Sequence, residues 1–187
     1  MIDTIATKNA VSRLINIIVD NRMISLDDFY TIEFTDDLFN FGTYGALVFN
    51  DTYDLGNSNK AKLEGQTKVT IKYFDPVDNY IIRNFTVIDV DISSTERQRV
   101  IALKIVDDFA YKLMTTYSGS LKTSQYNSSV IEAFNSVITE IKANDLLKQD
   151  RLTLELGKAK SHSFIIPAGI SLLDFFVKEF RKFNIRI

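Results

Sequence analysis

Tyr80-Ile81-Ile82-Arg83-Asn84-Phe85-Thr86-Val87-Ile88-Asp89-Val90-Asp91-Ile92 decides how the chain is read. In a β-strand successive side chains point to opposite faces, so one buried face leaves a period of two. Ile88, Val90 and Ile92 hold that period against Asp89 and Asp91, whereas Phe85 and Val87 hold it in the other phase. A strand keeps both runs only if an extra residue resets its phase, so the pattern predicts a bulge or sharp bend near Ile88.

Strands extend outward from this one on both sides. Val69, Ile71 and Tyr73 alternate with Lys68, Thr70 and Lys72, and Asp75-Pro76 turns the chain towards Tyr80. Ile101, Leu103 and Ile105 form the next strand. Upstream, Gly45, Leu47 and Phe49 alternate with Ala46 and Val48, and Tyr30, Ile32 and Phe34 alternate with Thr31, Glu33 and Thr35. Leu14–Val19 is apolar on both faces, as a doubly covered strand is. Six strands with short polar turns predict a small barrel or sandwich.

The pattern changes after residue 106. Asp107–Thr115 predicts a short helix leading out of the sheet, and the polar stretch Ser118–Asn127 reads as a loop or linker. Ser129 and Glu132 form a capping box before Val130, Phe134, Val137, Ile138 and Ile141, a stripe at helical spacing. Leu152, Leu154 and Leu156 predict a strand, and Ser163–Pro167 a short extended piece. Ser171 and Asp174 open a second amphipathic helix, Leu172 to Phe183, with Lys178, Arg181 and Lys182 near its C-terminal end, where the helix dipole favours cations. The fold class is therefore α+β: a β-barrel-like domain over residues 1–115, then a smaller α/β domain with two amphipathic helices over residues 116–187.

The 187 residues are enough for a core that needs no staples. The absence of Cys excludes disulfides, thiolate metal sites and thiol nucleophiles. With 22 basic and 24 acidic residues the net charge is −2, so the basic excess of nucleic-acid-binding domains is missing. No apolar run reaches the roughly 18 residues of a membrane span. The first residues do not read as a signal peptide, so the sequence predicts synthesis and retention in the cytoplasm, where the Asn-x-Ser/Thr triplets at Asn50, Asn84 and Asn127 have no role.

No catalytic chemistry is spelled out in the sequence. His162 is the single histidine and reads as an exposed residue of a polar turn. There is no Gly-x-Ser-x-Gly elbow, and Gly42-Thr43-Tyr44-Gly45 is a strand lead-in, not a phosphate loop. Of the acidic pairs Asp27-Asp28, Asp36-Asp37, Asp89/Asp91 and Asp107-Asp108, the third has the best geometry for two-carboxylate or cation chemistry, but an i, i+2 pair opposite an apolar face reads as a solvated side. Asp51–Asn59 lacks the order of a calcium loop. Lys68, Lys72, Tyr73, Tyr80 and Arg83 suggest the stacking and phosphate-binding face of an OB-type module, although alternation puts Tyr73 opposite both lysines. No catalytic, cofactor-binding or metal-binding residue is assigned, and no enzymatic activity is expected.

One ordered series carries a resemblance. It runs through Phe41-Gly42-Thr43-Tyr44-Gly45-Ala46-Leu47-Val48-Phe49-Asn50-Asp51, Leu63-Glu64-Gly65-Gln66 before the strand Lys68–Phe74, the strand Ile82–Ile92, Arg99–Ile105 and Asp108-Phe109-Ala110-Tyr111-Lys112-Leu113. It ends at Ile166-Pro167-Ala168-Gly169-Ile170-Ser171-Leu172-Leu173-Asp174-Phe175. This order resembles the N-terminal part of the tail hub or baseplate hub proteins of tailed bacteriophages and contractile injection machines. The resemblance implies a virion protein of the phage tail or baseplate, made in the host cytoplasm and without an active site. It would self-associate into a trimer or hexamer and form a ring joining the tail tube to a central spike or fibre protein. It implies no membrane, small-molecule substrate or cofactor, and nucleic acid only as passing genome. Family members usually continue into a second barrel-like domain, so the resemblance implies either part of such a protein, with the 116–187 domain incomplete, or a shortened hub that completes its ring with another chain. The 14 Phe and 8 Tyr suit either extensive interfaces or a core. The competing reading is a small OB-type binding module for single-stranded nucleic acid or peptide.

Overall fold

The computed structural model describes residues 14–37, 42–52, 54–55, 67–74, 80–95, 98–142 and 161–182. They are divided between two compact units, the first holding the described residues up to Asp36 and Thr43–Asp108, the second Asp37, Gly42 and those from Phe109 onward.

The first unit is built on seven strands: β1 (Leu14–Val19), β2 (Arg22–Ile24), β3 (Phe29–Asp37), β4 (Gly42–Asn50), β5 (Lys68–Phe74), β6 (Tyr80–Ser94) and β7 (Arg99–Asp107). They form one sheet in the order β2-β1-β5-β6-β7-β4-β3, and every pairing with a resolved register is antiparallel. Its two edges, β2 and β3, lie at opposite ends of that order, so the barrel expected from the sequence is present as a curled, open half-barrel.

β6 spans two pairings. Tyr80 to Thr86 pair with β5 and Phe85 to Ser94 pair with β7, the two ladders overlapping only at Phe85 and Thr86. The register shifts between Val87 and Asp89, where the change of phase predicted a bulge. The extra residue keeps Phe85, Val87 and Val90 on one buried face. Ile17, Val19, Ile24, Val69, Ile71, Leu47, Phe49, Ile101, Leu103 and Ile105 complete that core. The β1–β2 hairpin was not foreseen. Its two turn residues, Asp20 and Asn21, have φ of 49° and 62°, the paired left-handed conformation of a two-residue hairpin turn that Asp and Asn tolerate. It brings Ile24 opposite Ile17.

Gly45 is fixed by space. A Cβ there would lie 2.7 Å from the Glu33 carbonyl oxygen and 2.8 Å from the Phe34 ring. β3 thus lies close against β4 at this point, and any side chain would push the strands apart.

The second unit holds α1 (Asp108–Thr115), β8 (Gln125–Ser128), α2 (Val130–Glu140), β9 (His162–Ile165) and α3 (Leu172–Lys182). Phe109 and Leu113 of α1 belong to its core. Gln125–Ser128, expected within a loop, is a strand paired antiparallel with β9. Gln125 and Asn127 are exposed, Ser128 is half-buried, and Tyr126 alone is fully buried. Both expected helix starts are present. The Ser129 hydroxyl accepts the Glu132 N–H at 3.2 Å while Glu132 accepts the Ser129 N–H at 2.9 Å, and the Ser171 hydroxyl accepts the Asp174 N–H at 3.1 Å. Phe134 is fully buried, with ring centroids 4.9 Å from Phe176, 5.1 Å from Phe180 and 6.4 Å from Phe109. The aromatic face of the last helix is therefore core, as its spacing indicated. The expected strand at Leu152–Leu156 lies outside the described residues.

Two predictions follow from this packing. Gly45→Ala is expected to destabilise the protein by about 1–3 kcal/mol, measured by urea denaturation. Gly119→Ala, where an added Cβ meets nothing within 4 Å, is expected to be near neutral. The second concerns Tyr126, whose hydroxyl donates to the Thr123 carbonyl at 3.2 Å. Burial, with the Glu140 charge adding to it, raises this phenol above its usual value. The unfolded chain loses that proton first, so the stabilisation is complete below a pH of about 10 and is lost as pH rises beyond it. Tyr126→Phe is expected to cost about 1 kcal/mol at neutral pH. It should also flatten the fall in melting temperature above pH ~10 relative to wild type.

Candidate functional site

The acidic pairs of the described residues do not converge on a shared site. Asp89 accepts an ion-paired hydrogen bond from Lys104 at 2.7 Å across β6 and β7, and Asp91 is exposed on the same face. The Asp89 hydrogen bond and charge, with Asp91 adding to them, raise the Lys104 pKa. This is a solvated cross-strand pair, as the alternation indicated. Asp107 and Asp108 are split: Asp107 accepts the Thr43 N–H at 2.6 Å, while Asp108 accepts from Lys68 at 2.8 Å and from the Thr86 hydroxyl at 2.6 Å. Asp28 accepts the Thr52 hydroxyl at 3.0 Å. The Asp36 and Asp37 side chains lie outside what is described.

The Asp51 loop is held by its first residue. The fully buried Asp51 carboxylate accepts the Leu55 N–H at 2.7 Å, and Arg99 reaches Asp51 at 3.5 Å and Asp54 at 2.7 Å. These contacts hold the start of the segment at Asp51, Asp54 and Leu55, and residues 56–59 lie outside the described residues. Among the described residues no group of three or more His, Cys, Asp or Glu could hold a metal ion. His162 is the first residue of β9, paired with Ser128, not part of a turn; the backbone ladder recruits it into the strand.

The five residues of the proposed nucleic-acid face are distributed over two faces. Lys68 and Lys72 alternate with Tyr73 along β5, and Tyr73 is opposite Ile81 in register. Arg83 is stacked 5.8 Å from the Tyr73 ring centroid and donates to the Thr43 hydroxyl at 3.0 Å. Lys68 is held by Asp108 and by the Thr86 hydroxyl, the latter at 2.6 Å. Lys68, Lys72 and Tyr80 share one face of β5 and β6, while Tyr73 and Arg83 lie on the other, so the stacked Tyr73–Arg83 pair is turned away from both lysines.

A different surface stands out. Phe74 and Tyr80 are opposite one another in the β5–β6 register, and Ile82 follows Tyr80 on the same face. Their exposures are 42%, 52% and 47%. The Phe74 and Tyr80 rings meet edge to face at 5.9 Å, so the cluster is preformed. β7 ends opposite Phe85, and among the described residues no strand flanks Tyr80–Asn84 on the side away from β5. Apolar side chains beside an open stretch of strand form a surface that favours further sheet or apolar contact. The alternation in sequence marks the strands but not this exposure, which depends on where β7 stops.

No family model and no curated protein matches the chain. Among solved structures, a chain of the Francisella PdpA-VgrG complex in its half-lidded form is similar, with 13% sequence identity and a TM-score of 0.47. The match covers 90% of this chain and 28% of that one. A likeness of this degree establishes neither a common fold nor a common function.

Replacing Asp89 and Asp91 together by Asn is expected to leave the melting temperature and the circular dichroism spectrum essentially unchanged, because exposed pairs contribute little. A marked loss of structure would show that the pair is part of the framework.

Proposed function

We propose that the chain is a structural component of a bacteriophage tail or baseplate hub. It self-associates through its sheet surfaces into a ring that joins the tail tube to a central spike or fibre. In this reading it works in the virion, after synthesis in the host cytoplasm, and has no active site. The supporting sequence feature is the hub-like order of segments. The single observation that carries the reading is the exposed Phe74–Tyr80–Ile82 cluster beside the open stretch of β6. A protein whose work is assembly needs such a surface, because burial of apolar area drives most association.

The test is light scattering of the purified chain over a concentration series, with negative-stain images of the same samples. A closed trimer or hexamer with a central opening is expected. Phe74→Ser combined with Ile82→Ser is expected to shift the mass towards the monomer while leaving the melting transition in place. A wild-type chain that stays monomeric at high concentration overturns self-association as its mode of action. An assembly that persists in the double variant places the contact elsewhere.

A further inference from the structure

No further inference is drawn: the strongest candidate, the exposed apolar cluster of Phe74, Tyr80 and Ile82 beside the open stretch of β6, belongs to the surface already described, and nothing in the structure shows what covers it.

Discussion

The first unit depends on the continuity of one buried face along β6. The strand is 15 residues long and its two halves have different partners, β5 for the first and β7 for the second. Without the bulge between Val87 and Asp89, either Phe85 and Val87 or Val90 and Ile92 would be turned away from the core, since a shift of one residue flips every side chain beyond it. The bulge sacrifices one ladder position and increases the local twist. In return a single strand holds the β1–β5 and β7–β4–β3 portions of the sheet on one core. The close approach at Gly45 belongs to the other end of the same sheet, where only a residue without a side chain lets β3 lie so near β4.

This arrangement has a consequence at the surface. Because the two ladders overlap only at Phe85 and Thr86, the beginning of β6 extends past the end of β7. The residues there alternate as the rest of the strand does. Ile81 is half-buried, while Tyr80 and Ile82 are left outside with Phe74. The stagger that joins the sheet thus also exposes apolar side chains next to an incompletely flanked strand. The ion pairs and buried carboxylates elsewhere in the unit have local structural tasks: Asp51 holds the start of its segment, Asp107 anchors the start of β4, and Asp108 holds Lys68 and Thr86.

Much of this was legible in the sequence. The bulge was visible because a period of two cannot change phase within an unbroken strand. Both helix starts were visible because Ser129 with Glu132, and Ser171 with Asp174, offer side-chain oxygens to N–H groups that have no partner within the helix. The β1–β2 hairpin was missed because β2 has only three residues, although Asp20-Asn21 supplied the turn signal. β8 was missed because a four-residue strand with one apolar side chain has no period to read; it is a strand through its pairing with β9. The open sheet was read as a barrel because alternation reports which face is buried, not whether the edges meet. The placement of His162 likewise follows from pairing, which local sequence only partly encodes, whereas the separation of Tyr73 from Lys68 and Lys72 is legible in the alternation itself.

The central claim is that the β5–β6 end of the sheet is covered by association. Hydrogen–deuterium exchange of the peptides containing Lys68–Phe74 and Tyr80–Asn84, compared at low and high protein concentration, tests it most directly. The account predicts that exchange at Tyr80–Asn84 slows as concentration rises, while the buried ladder around Leu103 stays equally protected throughout. Exchange at Tyr80–Asn84 that is the same at every concentration, in samples whose mass does increase, would contradict it.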